Sequence, residues 1–405
     1  MSERRLTDWL DSYLLYTEES EPPKLFHIWT AISTVAAALQ RKCVLNLGTL
    51  EIFPNMYIVL VAPSGKARKG TAMRFGDFFL SKLGIKMAAD ANSREALIQS
   101  IISAYDSSID EASGEMSFHS SLTIHSQEFV VFLGHNQQNL MTNLIDWYDC
   151  GKGPEGKWNY KTVGRGVEEI SGLWVNLLGA TTPELLRLYV MEAIGAGLTS
   201  RIIFVYQSDK YKTCPLTFLN DEQTRIGEDL YYDLEKIYML RGKFKPSKDF
   251  IDAWIPWYTK QDKQQVFEGH PHLAPYCERR GMHILKLSLI LSACRSSSMV
   301  IEAQDLKRAV EILEHTELTM PYVFSGTGRS PHAEVLSRVM NDVGLAGEIP
   351  LSVIQRKYYH DADARVLNLI IETLQGMKFL SVIDKGNEII LKHCKGRGSA
   401  DETTN

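Results

Sequence analysis

The sequence predicts an α/β protein with a three-layer α/β/α core, N-terminal helices, a helical lid and a C-terminal winged helix. Residues 56–62 (MYIVLVA) form a continuous apolar run rich in β-branched side chains, typical of a strand buried on both faces of a parallel sheet. Further buried strands are predicted at residues 122–125, 173–178 and 202–206. Helical segments separate these strands, and this alternation indicates a core over residues 46–210.

Helical segments flank the core on both sides. Residues 1–45 contain two apolar helical runs, separated by a Glu-Pro-Pro break at residues 21–23. Residues 211–325 carry apolar side chains at helical spacing, as Ile226 and Leu230 do. We therefore expect an N-terminal helical segment before the core and a helical lid domain after it.

The last part of the chain has a different pattern. Residues 331–395 predict three helices followed by a β-hairpin that turns at residues 385–387, which is the pattern of a winged helix. The charged residues of its predicted recognition helix are Asp361, Asp363, Arg365 and Glu372. This helix would repel phosphates, so we expect it to dock or position the domain within an assembly. Residues 396–405 are small and polar and are expected to be disordered.

Composition restricts the location and the partners. The net charge of -5 over 405 residues argues against a protein that coats nucleic acid with its whole surface, so nucleic-acid contact requires a local patch. No apolar run approaches the roughly 20 residues of a membrane span, and the charged start lacks a signal core. We therefore expect a cytoplasmic protein with no membrane partner. The six cysteines lie far apart without zinc-ligand spacing, which predicts reduced, metal-free thiols.

A loop with glycines and basic residues follows the strand at residues 56–62. Between a buried strand and a helix start, backbone N–H groups and the positive helix end point at phosphate oxygens, which is the physical basis of a P-loop. The match to GxxxxGK[ST] is imperfect, because the lysine precedes the glycine. The predicted nucleotide-binding residues of the loop are Ser64, Gly65, Lys66, Arg68, Lys69, Gly70 and Thr71.

Two residues of this loop have predicted roles. Lys69 is the preferred ligand of the β- and γ-phosphates, and Thr71 is the preferred Mg²⁺ ligand. Lys66 or Arg68 replaces Lys69 if the register differs. The alternative interpretation of the whole loop is a basic surface turn.

A carboxylate follows the predicted strand at residues 122–125. In P-loop ATPases a carboxylate at the end of such a strand faces the γ-phosphate and polarises the attacking water, and Glu128 has this position. The aspartate that usually lies just before it, on the magnesium side, is replaced by Gln127. The alternative for Glu128 is an ordinary surface residue.

Two hydroxyls and an arginine complete the candidate catalytic residues. Thr181 and Thr182 follow the strand at residues 173–178, where a hydroxyl can bind the γ-phosphate or the attacking water, or can cap the next helix. Arg201 follows a glycine-bearing loop and precedes a strand. From there it can stabilise transition-state charge at a neighbouring subunit's nucleotide, or it can form a structural ion pair.

These motifs occur in a specific order. The loop PSGKARKGT, the strand end SQEF, the segments LLGATTP and GAGLTSR and the helical ERRGMHILKLSLIL follow one another over about residues 10–325. In this order they resemble phage and prophage P-loop ATPases of the primase-helicase or replicative-helicase type, and more distantly the AAA+ minichromosome-maintenance helicases. The resemblance implies an AAA+/RecA-like core and a ring, commonly of six subunits. It also implies an arginine finger at Arg201 and a sensor arginine in the lid at Arg279 or Arg280.

A basic and aromatic segment at residues 150–170 has two flanks that suit a hairpin. In the helicases that the chain resembles, a hairpin before the third strand projects into the central pore. Basic side chains can follow phosphates there while aromatic rings stack on bases or support the hairpin, and the alternative is a solvated loop with a packed tryptophan. The predicted DNA-binding residues are Lys152, Lys157, Trp158, Lys161 and Arg165.

Together these features predict an ATP-driven, ring-forming DNA helicase of phage or mobile-element replication that moves along single-stranded DNA, in the host cytoplasm if it is phage-encoded. The expected cofactors are ATP and Mg²⁺. The expected partners are single-stranded DNA, further copies of the chain and other replication proteins. Two alternatives stay open: an ATP-dependent DNA-binding initiator or loader that does not unwind DNA, and an AAA+ ATPase that remodels proteins. A basic and aromatic hairpin favours nucleic acid over polypeptide.

Overall fold

The computed structural model divides the chain into two compact units, Met1–Val323 and Phe324–Asn405. The residues that it describes are 3–89, 93–109, 114, 116–134, 138–153, 155–162, 166–190, 197–216, 219–261, 266–267, 270, 273–324, 332–386 and 388–394. Among these residues, no helix is both long enough and apolar enough to cross a membrane. The predicted link at residues 325–331 and the predicted tail at residues 396–405 lie outside the described residues.

Helices and strands alternate through the first unit. Its helices are α1 (Trp9–Tyr16), α2 (Lys24–Leu39), α3 (Lys69–Leu83), α4 (Arg94–Ser103), α5 (Phe129–Leu133), α6 (Gln138–Tyr148), α7 (Pro183–Val190), α8 (Asp221–Tyr238), α9 (Lys248–Gln261), α10 (Ala274–Arg295) and α11 (Ala303–Glu317). Its strands are β1 (Cys43–Leu47), β2 (Leu50–Ile52), β3 (Tyr57–Val61), β4 (Tyr105–Ile109), β5 (Met116–Ser126), β6 (Trp158–Thr162), β7 (Gly166–Ile170), β8 (Leu173–Thr181), β9 (Ile202–Tyr206), β10 (Gly242–Pro246) and β11 (Val300–Ile301). The four buried strands predicted from the sequence are confirmed as β3, β5, β8 and β9.

The central sheet has the strand order β4-β5-β8-β3-β9. Strands β5, β8, β3 and β9 are parallel, and Tyr57 of β3 lies opposite Leu177 of β8 and Ile202 of β9. Strand β4 is antiparallel to the first half of β5, and an isolated bridge joins Met87 to Thr123 in parallel. Every residue of β3 and β8 is buried, as their continuous apolar sequences predict.

Helices cover both faces of this sheet. On one face, Asn176 of β8 donates from Nδ2 to the backbone oxygen of Ser33 in α2 at 3.2 Å. Tyr57 lies opposite Leu177, the next residue of β8, and therefore points to the other face, because successive strand residues alternate. There its hydroxyl donates to the backbone oxygen of Leu144 in α6 at 3.0 Å. The core is therefore an α/β arrangement with a helix layer on each side.

The sequence does not predict the second sheet of the first unit. Its strand order is β11-β10-β1-β2, with β10 parallel to both β1 and β11. The segment at residues 211–325, expected to be purely helical, therefore contains two strands, and one of them pairs with the N-terminal segment. Strands β10 and β11 are too short to show a strand period in the sequence. Each buries a single side chain, Phe244 in β10 and Ile301 in β11.

The second unit has its own apolar core. Its elements are α12 (Ala333–Ala346), β12 (Glu348–Pro350), α13 (Leu351–Tyr358), α14 (Ala364–Gly376), β13 (Leu380–Asp384) and β14 (Ile389–His393). The strands form an antiparallel sheet in the order β12-β14-β13. Val339, Ile354, Leu374 and Leu391 are completely buried in the core that these elements share. The three predicted helices and two predicted strands are confirmed, and β12 is an additional strand.

Candidate functional site

The parallel strands of the central sheet end together at what we call its carboxyl edge. Val61, the last residue of β3, pairs with Thr181 of β8 and with Tyr206 of β9. The loop after β3 therefore begins between two neighbouring strand ends. The chain continues from β3 toward β5 on one side, whereas β9 lies on the other side. Ligands of parallel sheets bind beyond the carboxyl ends of the strands at such a point, so the carboxyl edge is the expected position of a ligand-binding site.

The loop at residues 62–71 has a specific backbone conformation. Helix α3 begins at Lys69, and two residues before it are left-handed: Gly65 with φ 70° and Arg68 with φ 53°. The pattern GxxxxGK[ST] has a glycine directly before its lysine, and glycine takes this conformation without steric cost. Arg68 takes it at a cost of about 1 kcal/mol. The loop therefore has the backbone that a glycine would allow at this position, which supports Lys69 as the lysine of the pattern.

The side chain of Lys69 turns back over the loop. Its Nζ donates to the backbone oxygen of Ala62 at 2.7 Å and lies 3.5 Å from that of Pro63. Burial lowers the pKa of Lys69, and the carboxylates of Glu128 and Glu184 act in the opposite direction. The first N–H groups of a helix have no partner within it. The loop, the amine and the start of α3 together offer positive charge and N–H donors to an anion.

The other predicted ligands in the loop differ in their surroundings. Its exposed residues include Ser64, Gly65, Lys66, Arg68 and Thr71. Gly70 is half-buried against Gln127, and a Cβ built on Gly70 would lie 2.9 Å from Gln127 Oε1. Gly70 therefore contacts the residue that stands in place of the metal-side aspartate.

Glu128 and the two threonines lie at the same edge. Glu128 is exposed and directly precedes α5. Thr181 is 1% exposed, its Oγ1 has no hydrogen-bond partner among the described residues, and its backbone oxygen accepts from the N–H of Ala62 at 3.3 Å. Thr182 Oγ1 accepts from the N–H of Leu185 at 3.3 Å and so caps α7. Thr181 therefore has an unused hydroxyl next to the loop, whereas Thr182 acts as a helix cap.

Glu21 joins this edge although no sequence motif singles it out. It accepts from Arg68 Nε at 2.7 Å and from Lys210 Nζ at 2.8 Å. These hydrogen bonds from Lys210 and Arg68 lower the pKa of Glu21 to about 2. Glu21 therefore stays ionised and ties the loop to the N-terminal segment and to the chain after β9. Its partners are 47 and 189 residues away, so the Glu-Pro-Pro break indicates a turn but not these contacts.

The opposite edge of the sheet, which we call the amino edge, holds Arg201. Because Arg201 precedes β9, it lies a full strand length, about 16 Å, from the loop. Its Nη2 donates to Asp149 Oδ2 at 2.7 Å, and Arg279 Nη1 lies 3.6 Å from Asp149 Oδ1. The side chain of Arg201 is 9% exposed and that of Asp149 is 52% exposed. Within one chain Arg201 cannot reach the carboxyl edge, so the role predicted for it requires a second copy of the chain.

Arg280 differs from its neighbour Arg279. Its Nε donates to Glu317 Oε1 at 2.7 Å, and its Nη2 donates to Glu317 Oε2 at 2.9 Å. Both side chains are buried, and this bidentate pair joins α10 to α11. Of the two arginines that the resemblance offers as a sensor, Arg280 therefore has a packing role in the lid. Arg279 remains as the candidate sensor arginine.

The hairpin predicted within residues 150–170 is present as β6 and β7, which pair in antiparallel orientation. Arg165 lies outside the described residues. The exposed lysines of the segment are Lys152, Lys157 and Lys161. Lys157 Nζ lies 2.7 Å from Glu155 Oε2 and 3.4 Å from Glu169 Oε1. Neighbouring carboxylates therefore offset its charge, which weakens the expectation that Lys157 binds phosphate.

Trp158 packs within this hairpin and against the core. Its ring stacks on Tyr160 with 6.0 Å between centroids, and it meets Trp147 edge-on at 5.7 Å. Trp147 is completely buried on α6. Of the two roles considered for Trp158, these contacts favour support of the hairpin over stacking on a base.

Comparison with known proteins adds no relative. No protein-family model matches the sequence. No curated protein is significantly similar to it. Within the described part of the chain, no group of three or more His, Cys, Asp or Glu side chains is placed to hold a metal ion. The resemblance to phage helicases stays a hypothesis based on the motifs, and a functional proposal depends on the geometry of the two sheet edges.

Proposed function

We propose that the chain binds and hydrolyses ATP at the carboxyl edge of its central sheet. The observation that carries the proposal is the loop at residues 62–71, in which Lys69 follows a left-handed residue at a helix start and hydrogen-bonds back to Ala62. Thr181 adds an unpartnered hydroxyl beside this loop, and Glu128 adds a carboxylate within electrostatic range of Lys69. A triphosphate requires such a combination of positive charge and hydrogen-bond donors.

In the proposed reaction Lys69 binds the β- and γ-phosphates, and Glu128 orients a water molecule and accepts its proton. The water oxygen forms a bond to the γ-phosphorus while the bond from that phosphorus to the ADP oxygen breaks, which releases ADP and phosphate. The Thr181 hydroxyl donates to the γ-phosphate or to the attacking water. Because Arg201 is about 16 Å from its own loop, it acts on the nucleotide of a neighbouring copy, and we propose a ring of copies for this reason.

Single-stranded DNA is the proposed polymer on which this ring acts. The β6–β7 hairpin carries the exposed Lys161, the exposed Lys152 lies just before this hairpin, and such a hairpin can line a pore. The second unit, with three helices and the β12-β14-β13 sheet, supports the winged-helix proposal, and we assign it a docking role. This function is a DNA helicase motor of the kind that the motifs resemble.

A second candidate is remodelling of a polypeptide by the same pore. One observation favours it: around the three exposed lysines of the hairpin segment lie the carboxylates of Glu155, Glu168 and Glu169, and Lys157 pairs with two of them. Three carboxylates therefore stand against the four basic side chains of residues 150–170. A surface of this kind attracts phosphates less than its lysines alone predict.

The test is the ATPase rate of the full chain alone, with single-stranded DNA and with an unfolded polypeptide. Strong stimulation by DNA, with separation of a forked duplex, supports the motor. DNA stimulation without strand separation indicates an initiator or loader instead. Stimulation by polypeptide alone indicates a remodeller. A folded, oligomeric protein that neither binds nor hydrolyses ATP would contradict the proposal.

A further inference from the structure

The surroundings of Gly70 indicate how the nucleotide is held. This inference rests on the proposed function. In P-loop ATPases a Ser or Thr directly after the loop lysine and an Asp at the end of a neighbouring strand hold Mg²⁺. In this chain Gly70 directly follows Lys69, and Gln127 stands in the strand-end position before Glu128. Both members of the metal-binding pair are therefore different.

The two replacements contact each other. A Cβ on Gly70 would lie 2.9 Å from Gln127 Oε1, so the amide end of the exposed Gln127 side chain lies directly against Gly70. Gly70 has no side-chain oxygen, and the amide of Gln127 is neutral. Mg²⁺ in nucleotide sites is bound by one or two carboxylates together with the phosphates. Gly70 and Gln127 therefore do not fit the hydroxyl–carboxylate pair that would hold an Mg²⁺ ion.

Thr71 does not restore the pair. Successive residues of a helix project about 100° apart, so the side chain of Thr71 points away from Gln127 when Gly70 faces it. Thr71 is also exposed. Asp77, the acidic residue of α3, is paired with His125 of β5. Neither residue supplies a hydroxyl–carboxylate pair next to Lys69.

The same loop carries more positive charge than the motif requires. Lys66, Arg68 and Lys69 lie within four residues, whereas GxxxxGK[ST] contains one lysine. Glu21 forms an ion pair with Arg68 and offsets part of its charge, whereas Lys66 is exposed. Charged N–H donors bind phosphate oxygens through strong hydrogen bonds. They can therefore neutralise a triphosphate at the place where a metal ion otherwise does so.

We infer that this chain binds its nucleotide through the cations of the 62–71 loop, without an Mg²⁺ ion ligated by protein side chains. The neutral amide of Gln127 lies against Gly70, where a hydroxyl–carboxylate pair would otherwise hold the metal. Nucleotide affinity is then almost independent of Mg²⁺.

The experiment measures the affinity of the full chain for ADP and for ATPγS by calorimetry, with excess Mg²⁺ and then with EDTA. For the wild-type chain we expect the two conditions to agree within about threefold, which corresponds to less than 1 kcal/mol. The variant Gly70→Ser/Gln127→Asp rebuilds the hydroxyl–carboxylate pair, and the shorter Asp leaves room for a Cβ at position 70. Its affinity should fall about tenfold or more on chelation. The matched control, Gly70→Ser/Gln127→Asn, has the same shape without the carboxylate charge and should stay independent of Mg²⁺.

Each outcome separates this inference from the proposed function. If wild-type affinity falls about tenfold or more with EDTA, the inference is wrong and ATP binding stands. If the Asp variant, folded by circular dichroism, gains no more metal dependence than its Asn control, Gly70 and Gln127 do not mark the metal position and the inference is also wrong. If the folded wild-type chain binds no nucleotide in either condition, the proposed function itself fails. The wild-type comparison needs no variant and decides the question even if the double variants do not fold.

Discussion

The two edges of the central sheet differ in how their carboxylates are paired within the chain. At the carboxyl edge, Thr181 has a buried hydroxyl without a partner in the described residues, and Glu128 is exposed. At the amino edge, Asp149 contacts both Arg201 and Arg279. An unpaired buried polar group costs about 1–3 kcal/mol, so such a group is expected where a ligand completes its hydrogen bonds. Arg201 Nε at the amino edge is likewise buried without a partner in the described residues. The contrast between the edges therefore lies in their carboxylates, because Asp149 is paired with two guanidinium groups whereas Glu128 is exposed.

The interior behind the amino edge strengthens this contrast. Lys286 is buried, donates to the backbone oxygen of Asn55 at 3.1 Å, and has a pKa that burial lowers to about 8. Burial likewise lowers the pKa of His283 to about 3, and its Nε2 donates to the backbone oxygen of Ser200 at 3.1 Å. Ser200 directly precedes Arg201. The backbone directly before Arg201 is therefore held by a hydrogen bond from a buried side chain.

The largest expected effect is that of Arg201→Ala. Hydrolysis in the assembled protein should fall at least about 1000-fold, because a charge that stabilises the transition state is lost, while nucleotide binding is retained. Steady-state hydrolysis and calorimetric binding measure the two properties. Mixing this variant with Glu128→Gln protein should restore activity at interfaces that combine the intact Arg201 with the intact Glu128. No recovery, in assemblies shown to exchange subunits, would assign Arg201 to a structural ion pair with Asp149.

Lys69→Ala should remove the phosphate-facing charge of the carboxyl edge. Hydrolysis should fall by about 100-fold to 1000-fold, the range found when one transition-state donor is removed. The matched control is Lys82→Ala, which removes a lysine from the other end of the same helix and should leave the rate almost unchanged. Wild-type turnover in the Lys69 variant would move the phosphate-binding role to Lys66 or Arg68.

Glu128→Gln should slow hydrolysis about 100-fold or more, because the amide cannot accept the proton of the attacking water. Nucleotide affinity should remain. Glu184 is the other carboxylate that acts on Lys69, so Glu184→Gln is the informative comparison. If the Glu184 variant loses hydrolysis and the Glu128 variant does not, the general base is Glu184, which follows β8, and not Glu128, which follows β5.

The smallest effects are expected at the hairpin. Lys161→Ala should weaken binding of single-stranded DNA a few-fold and should reduce the slope of log affinity against log salt by about 0.7. Lys157→Ala should have a smaller effect, because Glu155 and Glu169 already offset its charge. Fluorescence anisotropy at two salt concentrations measures both quantities, and the ATPase rate without DNA checks that the nucleotide site is intact. Equal and unchanged slopes in both variants would exclude this hairpin from the DNA path.

The sequence predicts those parts of this fold whose burial produces a recognisable local sequence pattern. Strands β3, β8 and β9 are continuous apolar runs, and the glycine-bearing loop after β3 identifies the carboxyl edge. Strands β1, β2, β4 and β10 are short or partly polar, so no period distinguishes them from turns. The contacts of Glu21 with Lys210 and of Asp149 with Arg201 join residues that are 189 and 52 positions apart. Only the folded chain brings such pairs together. The sequence therefore identifies Arg201 as a candidate residue but does not identify Asp149 as its partner.

Backbone hydrogen exchange of the wild-type chain, with and without ATPγS, shows whether a nucleotide binds at the carboxyl edge. A bound triphosphate contacts the N–H groups of the loop and of the start of α3, so these amides should exchange more slowly. We expect slower exchange at residues 62–71 and around Glu128 and Thr181 when ATPγS is present. Protection elsewhere with unchanged exchange at residues 62–71, under conditions in which calorimetry shows binding, would contradict it.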